Sequence, residues 1–191
     1  MILPVTAYGH PTLRKVAADI DREYEGLDQL IADMYETMYH TVGVGLAAPQ
    51  VNRSIRLFIV DASPYAEDQP ELKDFKKVFI NAQITERSGE PFYFNEGCLS
   101  VPDIHEDVER PSVITITYYD REWNFHEETY DGIAARIIQH EYDHLEGILF
   151  VDRLSSLRKT LLRKRLLDIA SGNIKARYKM IFPNLKKRRK R

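Results

Sequence analysis

At 191 residues, 43% of them hydrophobic, the chain is long enough to bury one proper core as a single domain. Its one cysteine, Cys98, excludes an intrachain disulfide, and neither a signal pattern at the N-terminus nor an apolar run of roughly 18 residues points to export or a membrane span. The expectation is a cytoplasmic protein without a membrane partner. The net charge of −2 hides an asymmetry: residues 153–191 hold fifteen Lys and Arg against one acid, Asp168, a net +14, which leaves −16 on the rest. An acidic body with a basic end suggests a polyanion as partner for that end.

In chain order, residues 27–39 place Leu27, Leu30, Ile31, Met34, Tyr35 and Met38 on one stripe, which predicts a core-facing helix. The stretch Gly43-Val44-Gly45-Leu46-Ala47-Ala48-Pro49-Gln50 follows. It fits G-x-G-x-x-A, but that dinucleotide fingerprint needs a strand before it and a helix after it. Here a helix precedes and Pro49 opposes one following, so no nucleotide cofactor is expected. A loop bringing bare backbone up to a ligand accounts better for it, with the Gln50 amide either a donor to an oxyanion or an ordinary surface amide. Strands are predicted over Ile55–Asp61, Lys77–Thr85, Val113–Tyr119 and Trp123–Tyr130, with 62–74, rich in Pro and acids, as an exposed loop. A helix with Asp131 as N-cap and Gly147 near its end comes next, followed by one over 157–170 with Leu157, Leu161, Leu162, Leu166 and Ile169 on one face. This order indicates an α+β fold with a mainly antiparallel sheet around the first of those two helices. Residues 1–171 form the domain in this reading, and 172–191 a flexible basic tail.

That helix carries Gln139-His140-Glu141-Tyr142-Asp143-His144. Histidines four apart project the same way and can reach one metal ion. Glu141 beside them is placed to take a proton from water activated there, the H-E-x-x-H pattern of metallohydrolases. A chance match is the plain alternative. A catalytic metal normally has three protein ligands and an open position. The downstream glutamate of thermolysin-type sites is missing, since no Glu follows Glu146, and the last metzincin ligand position holds Phe150. A third ligand must come from upstream, where His10, His40, His105, His126 and carboxylates are all candidates. Cys98, in Glu96-Gly97-Cys98-Leu99-Ser100, stands out as a thiolate that metal binding keeps ionised.

Taken together, the stretches 43–50, 96–100 and 139–144 resemble the three signature motifs of peptide deformylase, in that family's order. The resemblance implies a hydrolase that removes formyl from the N-terminal formyl-methionine of nascent polypeptides. It implies Cys98, His140 and His144 as metal ligands, Glu141 as general base and then acid, and Gln50 with the Leu99 N–H as oxyanion hole. Gly45 would contact the substrate backbone. The ion would be one per chain, Fe(II) physiologically, with Zn(II), Ni(II) or Co(II) able to occupy the site. An apolar methionine pocket is expected from Val44, Phe94, Ile133 and Ile137, with Arg136 at its mouth. The helix 157–170 and the tail, with its Lys186–Arg191 run, are expected to bind ribosomal RNA, and the protein to be a monomer. The rival readings are a ribosome- or RNA-binding protein with a structural metal, and an H-E-x-x-H endopeptidase.

Overall fold

A computed structural model describes residues 1–183. The strands are β1 (Val5–Thr6), β2 (Gly45–Ala47), β3 (Leu57–Asp61), β4 (Lys76–Ser88), β5 (Phe92–Cys98), β6 (Val101–Arg110), β7 (Val113–Tyr119), β8 (Phe125–Asp131) and β9 (Met180–Ile181). The helices are α1 (Leu27–His40), α2 (Gly132–Leu145) and α3 (Ser156–Ala170). Strands β2-β3-β4-β7-β8, in that order, make one antiparallel sheet, β5 and β6 form a separate hairpin, and β1 pairs in parallel with β9. The fold is therefore α+β with mainly antiparallel sheets. None of the described helices is long and apolar enough to cross a membrane.

Strand β3 shows why the sheet has a helix on each face. All five of its residues are buried, and alternate side chains point to opposite sides. Leu57 and Ile59 join Ile31, Met34 and Met38 of α1, while Phe58 and Val60 join Ala135, Ile138 and Leu145 of α2. The apolar stripe of α1 thus covers one face, as its periodicity predicts. Its end is a Schellman turn: Gly43 N donates to Met38 O at 2.9 Å and Val42 N to Tyr39 O at 3.1 Å. Val42 takes the left-handed position at φ 59°, and the chain leaves directly into β2.

The hairpin covers the other side of α2. Val101, Ile104 and Val108 form a second core with Phe150 and with Leu162, Leu166 and Ile169 of α3. Helix α2 is thereby enclosed between sheet and hairpin, and even Arg136, Glu141, Asp143 and His144 are buried. The β5–β6 register breaks between Gly97 and Cys98, where the pairing jumps from His105 to Val101. Such irregularities re-aim a side chain.

Several expectations need correcting. Helix α3 does not bury its whole leucine face: Leu157 and Leu161 are 69% and 61% exposed. The segment 62–74 holds two 3-10 turns, and Leu72 is anchored in the core. Asp131 stands at the N-cap of α2, but its side chain makes no capping bond. Residues 172–183 fold back on the domain through β9 and through Ile174, Met180 and Phe182 against the second core. The run Lys186–Arg191 lies outside the described residues.

Candidate functional site

One turn of α2 separates His140 from His144, and the turn closing the hairpin brings Cys98 to them. Their ligand atoms all lie within 4.8 Å of one another, the one such cluster among the described residues. Cys98 Sγ is 3.4 Å from His144 Nε2. A sulfur and a nitrogen on one tetrahedral ion, at the usual bond lengths, stand about 3.5 Å apart. The donor set and its spacing therefore fit a small divalent ion. Of the open candidates for a third ligand, the fold selects Cys98.

The surroundings orient these groups. His140 Nδ1 donates to Glu96 Oε2 at 2.8 Å, which leaves Nε2 facing the cluster. Glu96 also accepts from Arg110 at 2.7 and 2.9 Å and from Arg136 Nη1 at 3.0 Å. Arg110 reaches on to Asp143 Oδ2 at 2.8 Å, and Arg153 donates to both oxygens of that carboxylate at 2.6 Å each. Burial alone would push the Glu96 carboxyl up, but its hydrogen bonds with Arg110 and His140 win and hold it well below the usual range. Burial pushes the His144 imidazole well down, aided by His140 and Arg110, which keeps it neutral and able to ligate. At His140 the pull of burial is outweighed by Cys98 and Glu96, so the shift is upward. Negative surroundings that hold a proton there also hold a cation.

Glu141 is 4% exposed, and its Oε2 has no hydrogen-bond partner. Burial lifts its carboxyl to about 7, against a smaller opposing pull from His140. A buried carboxylate of that affinity, free at one oxygen, is suited to pass a proton in both directions near neutral pH. Gly45 of β2 lies against it: a Cβ there would fall 2.7 Å from Glu141 Cδ. Gln50 is fully buried and not a surface amide. Its Oε1 accepts from Ala47 N at 2.8 Å, which turns Nε2 toward Cys98 Sγ and Ser100 Oγ, each at 3.4 Å. Leu99 occupies the turn next to the sulfur, and its carbonyl accepts from Tyr178 Oη at 2.6 Å.

A cleft of about 410 Å³ opens over these groups, and Val44, Gly45, Phe94 and Ile137 line it. Ile133 does not; it packs against the core beneath the sheet. Arg136 is not at the mouth as expected but is buried, its guanidinium bonded to Glu96 and to the Val108 and Phe92 carbonyls. The reading of the sequence missed the roles of Glu96, Arg110 and Asp143. It also missed Arg177 and Tyr178, which reach the cleft from the C-terminal segment. A charged residue inside the Cys98 motif and another inside the His140 motif were the only available signals for Glu96 and Asp143.

The polypeptide deformylase family model matches residues 2–160. A peptide deformylase of Christiangramia forsetii is 54% identical, the alignment covering 99% of this chain and all of the relative. Among solved structures, a peptide deformylase of Plasmodium falciparum aligns with a TM-score of 0.78 at 36% identity, covering 88% of this chain and 95% of that one. A class I type b peptide deformylase of Acinetobacter baumannii with Met-Ala-Ser bound aligns with a TM-score of 0.73 at 39% identity, covering 81% and 99%.

Proposed function

The chain belongs to the polypeptide deformylase family, and from that premise we propose how its residues carry out the reaction. The enzyme removes the formyl group from the N-terminal formyl-methionine of nascent polypeptides, releasing formate and a free α-amine. Neither an endopeptidase nor an RNA-binding protein with a structural metal is favoured beside that membership.

Cys98, His140 and His144 would hold a single metal ion, and when bound it would supply Lewis acidity toward a water and the formyl oxygen. Glu141 accepts the proton as water oxygen adds to the formyl carbon. Charge then builds on the former carbonyl oxygen, where Gln50 Nε2 and the Leu99 N–H donate to it in a water-poor cleft. As the carbon–nitrogen bond breaks, Glu141 returns its proton to the departing amine. Gly45 contacts the substrate backbone, and Val44, Phe94 and Ile137 receive the methionine side chain. One observation carries this reading: a buried Glu141 whose Oε2 has no hydrogen-bond partner, on the same helical turn as two histidines that meet a sulfur. The test is formate release from formyl-Met-Ala-Ser with casein left uncut. In that assay Glu141→Ala loses nearly all turnover while elemental analysis finds the metal retained; wild-type turnover in this variant would refute the assignment.

The ion is Fe(II) in this reading, with Zn(II), Ni(II) or Co(II) as substitutes, since the ligand types suit all of them. Anaerobic purification followed by elemental analysis decides among them. Helix α3 exposes Arg158, Lys159, Arg163, Lys164 and Arg165, which supports docking of this monomeric, cytoplasmic enzyme on ribosomal RNA. Co-sedimentation with ribosomes that is lost at high salt checks the docking.

A further inference from the structure

The C-terminal segment returns to the active site by two routes. Strand β9 pairs with β1, with Val5 N donating to Lys179 O at 2.9 Å and Ala7 N to Ile181 O at 2.8 Å. Directly after β1, Tyr8 N donates to Ser100 O at 2.8 Å. The second route is direct, through the Tyr178 hydroxyl on the Leu99 carbonyl. Two successive carbonyls of the turn that carries Cys98 are thus tied, that of Ser100 by Tyr8 just past β1 and that of Leu99 by Tyr178. Tyr178 is half-buried, lines the cleft, and lies past the stretch matched by the family model.

We propose that Tyr178 is a positioning residue for deformylation: by holding the Leu99 carbonyl it fixes the turn whose Leu99 N–H faces the developing oxyanion. This rests on the role given to Leu99 above. The tie acts on the peptide plane between Leu99 and Ser100, adjoining the residue whose N–H donates. Without it, only the tie from Tyr8 to Ser100 remains of the two, and the N–H is free to rock away from the line of donation. Oxyanion donors work because they are aimed before charge appears, so a misaimed donor weakens the transition state and leaves the substrate's hold on the cleft intact.

Tyr178→Phe removes one hydroxyl and keeps the ring that packs at the cleft. The expected result is a fall in kcat of about three- to tenfold, the scale of one neutral hydrogen bond, with KM for formyl-Met-Ala-Ser unchanged. A peptide H-phosphonate that mimics the tetrahedral carbon loses affinity by the same factor, while the product Met-Ala-Ser binds as before. Metal content stays at the wild-type value, and the melting temperature falls by only about 2–4 °C, the scale of one lost hydrogen bond in a chain of this length. Unchanged kcat overturns the proposal, as does a fall in kcat that comes with lost metal or with full affinity for the H-phosphonate. If wild-type enzyme releases no formate from the formylated peptide, the functional reading itself has failed, which is a separate outcome.

Discussion

Helices α2 and α3 are nearly the same length, 14 and 15 residues, and the two live in different solvents. Helix α2 is closed in by the sheet on one side and the hairpin on the other, so Arg136, Gln139, His140 and Asp143 have protein partners instead of water, while Glu141 Oε2 has none. Helix α3 buries Leu162, Leu166 and Ile169 against the domain, ties Arg158 to Glu106 and Arg165 to the Asp103 carbonyl, and leaves Leu157, Leu161 and Leu167 to solvent. The same helical period therefore carries chemistry in one case and attachment in the other. In α2 the buried charges of Arg136 and Asp143 are matched by named groups, because an unmatched one is costly, whereas Glu141, unmatched at Oε2, holds its proton more tightly instead.

The largest effect should come from breaking that matching. Arg110→Met strips Glu96 and Asp143 of a shared cation, and a urea titration of the metal-loaded enzyme is expected to show a loss of about 3–5 kcal/mol. Next is a change to a group facing the same turn of α2. Gln50→Ala should reduce kcat by about 10²–10³ with the fold intact, as expected for a lost oxyanion donor; steady-state kinetics with a formylated tripeptide measures it. On α3, Leu162→Ala removes a side chain only 4% exposed, and denaturant unfolding should show a cost of about 2–3 kcal/mol with kcat unaltered. Smallest is Leu161→Ser on the outer face, where stability should stay within about 0.5 kcal/mol by the same measurement.

How much of this was legible in the sequence follows the same division. Elements with a simple period were readable: the stripe of α1, the strand β7 at its observed bounds, and the core-facing half of α3. The outer leucines of α3 misled because periodicity records which residues share a face, not how wide a face the neighbouring core covers. The motif residues Cys98, His140 and His144 were legible through their chemistry, and the fold brings them together. Arg110 and Arg136 were not. Each is a long cation that a sequence places at the surface by default, and its burial is justified by partners distant along the chain: Glu96, 14 and 40 residues away respectively, with Asp143 for Arg110 and the Val108 and Phe92 carbonyls for Arg136. The hairpin was hidden for a related reason: β6 alternates buried apolar residues with charges, but its buried set also includes Glu106 and Arg110.

The contact between Gly45 and Glu141 has a consequence for how this enzyme can be lost. A single added carbon at position 45 would crowd the carboxylate without altering any acid, ligand or core side chain. Such an allele would keep all three residues of the Cys98 cluster and give up turnover first, with a loss of stability on the scale of overpacking, about 1–3 kcal/mol.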